Sequence, residues 1–178
     1  MSDRVTEKFE YMVRPAEIGQ DGYHAELHPT DDQLDALAKR FKISAIHSFD
    51  AVIDLVYHPD RGEIDVYGDI HARVEQPCVI SLDPVETDIQ GQFAETLVIE
   101  GQGTMPDPED EETETADQLF IPIPAGPIDL AEIGIQNLSL LIPDYPRKED
   151  ATIDDQYITE QVKKADNPFA VLSELAED

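Results

Sequence analysis

A single cysteine, Cys78, in 178 residues excludes an internal disulfide and a thiolate zinc cluster, and makes a reducing compartment the natural setting. Basic side chains are also scarce. Twelve lysines and arginines stand against 40 aspartates and glutamates, a formal net charge of -28. That imbalance opposes unassisted docking onto phosphate backbones or anionic lipid and favours a basic partner. No run approaches the roughly 20 apolar residues of a membrane span, and the opening MSDRVTEKFEYMV is too charged for a secretory segment. The expectation is a soluble, cytoplasmic protein with no membrane partner. There is no internal repeat, GxSxG elbow, HExxH pair or phosphate-binding glycine loop. Hydrolase, metalloprotease and nucleotidase chemistries therefore lack their parts, nothing argues for an enzyme, and no cofactor is expected.

What is present begins with GPIDLAEIGIQNLSLLIPDYPR, Gly126 to Arg147. Asp129 precedes an apolar run with Glu132 three residues on, a pair able to satisfy first-turn amides and oppose the helix dipole, or else to bind a partner. Leu130, Ile133, Gly134, Leu138 and Leu141 recur at helical steps, while Ile135, Leu140 and Ile142 lie off that stripe. The pattern predicts a largely buried helix from Asp129 to Ile142, ended by Pro143 and Pro146. A second helix is expected from Thr30 to Lys42, with a Thr30–Gln33 capping box and an apolar stripe of Leu34, Leu37, Ala38 and Phe41.

Alternation predicts the strands. Phe9, Tyr11 and Val13, then Tyr23, Ala25 and Leu27, read as an opening hairpin, with Pro15 at an edge. Ile43 to His58 and Glu63 to Gln76 form the strongest pair, around the turn PDRG. With His58 facing Glu63, the register sets Tyr57 against Ile64, Leu55 against Val66, Ala51 against Ile70, Phe49 against Ala72 and His47 against Val74 on the core face. The other face then pairs Asp54 with Tyr67, Asp50 with His71 and Ser48 with Arg73. Val85 to Phe93 and Leu97 to Ile99 continue as a strand, with a bend at Gly91, and Leu119 to Ile123 is a short extended piece. Between them, residues 101–118 are acidic, with no basic residue, and are expected to form a solvated, mobile loop.

His58, Asp60, Asp69 and His71 carry metal-ligand atoms, but the register keeps His58 four pairs from His71, and His24 and His28 lie some 13 Å apart at about 3.3 Å per residue. No metal site is expected. Cys78 has no basic neighbour in QPCVISL, so it reads as a packing cysteine and not as a nucleophile. Tyr145 and Arg147 are candidate partner contacts, because tyrosine and arginine dominate interface hot spots, although Tyr145 could equally cover the core. Glu111 and Glu112, in the acidic loop, either solubilise or dock a basic protein. Phe169, Leu172 and Leu175 form an apolar face on a short helix opened by Asn167-Pro168, and this tail either folds back or docks on a partner.

Three pieces in order resemble the YceD-like large ribosomal RNA subunit accumulation proteins of bacteria, in their alphaproteobacterial branch. They are QPCVISLDPV, IDLAEIGIQNLSLLIPDYPR and NPFAVLSEL, spanning about Gly68 to the end. The chain departs from that pattern at Gln136, where a glutamate is expected, in the order Pro143-Asp144, and in a tail, Ser173 to Asp178, without basic residues. The resemblance implies a role in 23S rRNA accumulation and large-subunit biogenesis, with no established catalytic chemistry.

The expectation is one α+β domain over residues 1–148, followed by a polar linker and short amphipathic tail over 149–178. Its sheet is mostly antiparallel and twisted, with Val52 and Val56 on the second face raising a curl toward a barrel, and two helices pack on it. In function, a non-enzymatic factor binding a basic ribosomal protein or assembly factor stands first. Direct RNA contact through Lys39, Arg40 and Lys42 is the alternative, disfavoured by net charge, and a metal-dependent hydrolase using Asp50 and His71 is a third reading.

Overall fold

The computed structural model describes residues 8–105 and 119–152. Its centre is three long antiparallel strands: β3 (Ala45–His58), β4 (Glu63–Pro77) and β5 (Pro84–Ile99). They are flanked by β2 (Tyr23–Leu27), antiparallel to β3, and by β6 (Leu119–Ile123), parallel to β5. Two short strands, β1 (Met12–Val13) and β7 (Ile128–Asp129), pair with each other. Helix α1 (Asp31–Phe41) packs on β3, and α2 (Leu130–Leu141) reaches β1, β3, β4 and β5.

The β3–β4 register follows the alternation of the two strands, pairing Leu55 with Val66, Ala51 with Ile70 and Phe49 with Ala72, all buried. Asp54–Tyr67, Asp50–His71 and Ser48–Arg73 also pair as expected. One residue breaks the pattern. A bulge between Ile46 and Ser48 gives Val74 to Ile46 in place of His47, because Ile46 is the side chain that can be buried there. The ladder with β5 runs unbroken through Gly91, where the missing side chain admits Leu141 of α2. Gly68 likewise leaves room for the ring of its cross-strand neighbour Phe93.

Two expectations are corrected. The sheet does not close into a barrel: its order is β2-β3-β4-β5-β6, with β2 and β6 as edges. Val52 and Val56 are too few to support a second apolar layer among Asp50, Asp54, Asp69 and their polar neighbours. Nor is there an opening hairpin, since β2 pairs with β3 and β1 with β7. A 3-10 turn at Pro15–Glu17 intervenes, with the Glu17 carboxylate accepting the Arg14 amide at 2.6 Å. The acidic segment beyond Met105 and the tail helix lie outside the described residues.

Both helices start at the expected caps. The Gln33 side chain accepts the Thr30 amide at 2.9 Å. Asp129 accepts from Ala131 N at 3.1 Å and Glu132 N at 3.4 Å. In α2, Leu130, Ala131, Ile133, Gly134, Ile135 and Leu138 are buried, whereas Leu140 is 81% exposed.

A Cβ at Gly134 would meet Phe49 at 3.4 Å and Ala51 at 3.6 Å, ordinary contacts. Gly134→Ala should therefore stabilise the fold by about 0.5–1 kcal/mol through helix propensity, while Leu138→Ala, at a site with no exposure, should cost roughly 2–5 kcal/mol. Denaturant unfolding checks both, and a destabilised Gly134→Ala would contradict the packing described.

Candidate partner-binding site

Between β4 and β5 the chain turns at Cys78 to Asp83. The turn is tied by Cys78 N to Asp83 O at 2.8 Å and Leu82 N to Cys78 O at 3.0 Å, and Ser81 Oγ donates to the Asp83 carboxylate at 3.2 Å. Closing it places Leu82 in left-handed backbone geometry, φ 63°, with its side chain 76% exposed. A non-glycine residue held there carries a backbone cost that the surrounding bonds must meet.

The segment leaving α2 straps over this turn. Gln76 Nε2 donates to Pro143 O at 3.0 Å, Val79 N to Pro146 O at 2.9 Å, and Lys148 Nζ reaches Asp83 at 3.4 Å. Two pieces some 65 residues apart in sequence thus form one structural unit. Its exposed apolar side chains are Val79 and Leu82 on the turn, Leu140 and Leu141 on the last helical turn and Tyr145, 82% exposed, on the exit. Tyr145 therefore does not cover the core. Arg147 is solvent-facing, with one guanidinium nitrogen donating to Ala151 O at 2.9 Å.

Cys78 is fully covered, as a packing cysteine should be, but it lies outside the apolar core cluster. Its cover is the polar backbone of the turn and the strap, which opposes ionisation only weakly. The Lys148 backbone, Ser81 and the Ile80 amide surround the sulfur and lower the thiol from 9.0 to about 6. The Ile80 and Ser81 amides lie 3.4 and 3.5 Å from Sγ. Cys78 is therefore buried as expected, and it is backbone amides, not a basic side chain, that favour its thiolate. The largest of these contributions comes from Lys148, 70 residues downstream, which explains why QPCVISL alone did not reveal it.

The basic trio at the end of α1 is partly spent within the fold. Arg40 Nη1 donates to Glu132 Oε2 at 2.8 Å while Nη2 meets Oε1, a bidentate pair that holds the Glu132 carboxyl below its usual range. Lys39 and Lys42 remain exposed, Lys42 as a left-handed C-cap. Glu132 accordingly pairs with Arg40 and leaves the capping to Asp129. Glu111, Glu112, Phe169, Leu172 and Leu175 lie outside the described residues.

On the face of the sheet away from the helices, Asp54 bonds His24 at 2.7 Å and Asp50 bonds His28 at 2.6 Å. Both histidines are held above their usual value, chiefly by these bonds. Asp50 is therefore committed to His28, although His71 is its cross-strand neighbour. His47, turned out by the bulge, lies with Glu75 and Glu86 so that one ligand atom from each falls within 4.8 Å of the others. Sequence register had set His47 on the core face and so did not reveal this grouping.

The class defined here is an acidic α+β protein, an open sheet with both helices on one side and a strapped turn carrying the exposed aromatic. A family model described as large ribosomal RNA subunit accumulation protein YceD matches residues 66–176, from mid-β4 through the turn, α2 and the exit. The chain belongs to that family. No curated protein and no solved structure gives a significant match. Among the described residues, no helix is long and apolar enough to cross a membrane.

A spectroscopic titration of the thiolate in the native chain should show a midpoint near 6, raised by Ser81→Ala. Because the folded value is depressed, the thiolate's contribution to stability is full above 9.0 and is lost as pH falls through about 6. The difference in stability between the native chain and Cys78→Ala should accordingly grow from pH 6 to 9. A midpoint at the ordinary value of about 8.5 would show that the donors do not act on the sulfur.

Proposed function

We propose that this protein is a non-enzymatic factor that supports 23S rRNA accumulation and large ribosomal subunit biogenesis by binding a basic ribosomal protein or assembly factor. The observation that carries the ribosomal role is the family match over residues 66–176. The chemistry of the partner follows from charge. At -28, the chain as a whole repels phosphate and attracts a cationic protein at a distance set by salt, about 10 Å at 0.1 M. Tyr145, Arg147, Val79 and Leu82 supply an exposed aromatic, a cation and apolar contacts at one strapped turn, the residue types that anchor interfaces.

Direct RNA binding through Lys39, Arg40 and Lys42 is weakened by the pairing of Arg40 with Glu132. A hydrolase built on Asp50 and His71 is weakened by the commitment of Asp50 to His28. The protein works in the cytoplasm, where the large subunit is assembled.

The test is capture of bacterial lysate components on the full chain at low and high salt, with and without nuclease, followed by separate assay of protein and RNA. Basic ribosomal proteins or an assembly factor should survive nuclease and leave with salt, and Tyr145→Ala should reduce their recovery several-fold. A catch that disappears with nuclease would make RNA the ligand and overturn the proposal.

A further inference from the structure

One side of the molecule holds a carboxylate that the fold does not use. Glu95 lies on the core face of β5, opposite Val66 and beside Leu119 of β6, and is only 8% exposed. Its strand neighbours on that face are Leu97 and Phe93. Burial holds the carboxyl above its usual value, and the one group opposing this shift is the neutral side chain of Asn137 on α2. Asn137 is itself shared, since its Nδ2 also donates to Ile133 O at 3.1 Å. No lysine, arginine or histidine among the described residues contributes to the Glu95 environment. A buried carboxylate with one neutral partner is costly to a fold, and such groups are ordinarily paired.

Glu95 borders an open groove of about 270 Å³ between α2 and β6. Leu97, Ile121, Ile123 and Ile133 give it apolar walls, and the carboxylates of Asp129 and Glu132 stand on its border. Those two are already engaged, Asp129 with backbone amides and Glu132 with Arg40. Glu95 is the one of the three without a charged or multiple-donor partner.

At about 270 Å³ the groove has room for one long side chain. Its chemistry decides the type: apolar walls for a methylene stem and a buried anion for the head, the two halves of lysine or arginine. A phosphate would meet three carboxylates.

We propose that the groove between α2 and β6 is the receptor for a lysine or arginine side chain of the basic protein partner, with Glu95 as its counter-charge. This deepens the reading above and rests on it. The stem lies along Ile121 and Ile133, and the cation replaces the missing partner of Glu95. A general acidic surface attracts any cation; this site selects a segment that can project one side chain into a pocket.

The test uses the full chain and a capped hexalysine peptide as probe. Wild type, Glu95→Gln and a control with two exposed carboxylates of the opposite face neutralised, Glu26→Gln with Asp69→Asn, are titrated at low salt. Glu95→Gln keeps the shape and the bond with Asn137 and removes the buried charge, so its thermal midpoint should hold or rise. Its affinity for the peptide should fall about tenfold, against less than twofold for the control. By linkage, a tenfold preference for charged Glu95 requires the carboxyl midpoint of wild type, followed by NMR, to fall by about one unit on saturation with peptide. That second measurement decides the matter even if Glu95→Gln folds poorly. Equal binding by wild type and Glu95→Gln, with an unmoved Glu95 midpoint, overturns the groove while leaving attraction of basic partners intact. No binding of hexalysine by any of the chains overturns both.

Discussion

The carboxylate of Asp129 ties the two ends of the described fold together. It accepts the amides of Ala131 and Glu132 at the start of α2 and, at 3.0 Å, the amide of Tyr11. Leu130 N returns a bond to Tyr11 O at 2.8 Å. One side chain thus starts the helix and fixes β1 beside β7, so α2 enters at a set position over the sheet. A cap of this kind contributes about 1 kcal/mol as a helix start, and here it also fixes the docking of a segment 118 residues away. Everything beyond inherits that placement: Leu130, Ile135 and Leu138 fill the core, and the last turn delivers Pro143 to Gln76.

From that exit the physical chain continues without a gap. Pro143 and Pro146 end the helix and expose carbonyls that Gln76 and Val79 can use, and Lys148 reaches Asp83 at the far end of the turn. The same strap leaves Tyr145 in solvent. The packing of α2, the cover over Cys78 and the exposure of the tyrosine are therefore one structural fact seen at three places. The matched region, residues 66–176, contains the turn, α2 and the strap, whereas α1, β1, β2 and β3 stand outside it.

Much of this was legible in sequence, for local reasons. Thr30 with Gln33 and Asp129 before an apolar run mark helix starts within four residues, and Pro143 marks a stop. The β3–β4 register was readable because a one-residue slip would expose Leu55 and Val66 and bury Asp54. What was not legible was long-range. The bulge at His47 depends on which of two neighbours the core accepts. Tyr11 reads as a hairpin residue until Asp129 is placed beside it, and Arg40 reads as free until Glu132, 92 positions on, appears opposite. Glu95 sat unnoticed among Ala94 and Thr96, because only the arrival of α2 and β6 buries it. The acidic segment beyond Met105 and the apolar tail were prominent in sequence and fall outside the described residues.

The central claim is that this acidic scaffold meets the ribosome assembly line through protein. Its most direct test is a photo-crosslinking group in place of Tyr145, activated in growing cells, with the adducts separated into protein and nucleic acid. The expected result is a nuclease-resistant adduct with a basic protein of the large subunit or with a factor bound to it. Adducts confined to RNA, with no protein partner, would contradict the claim.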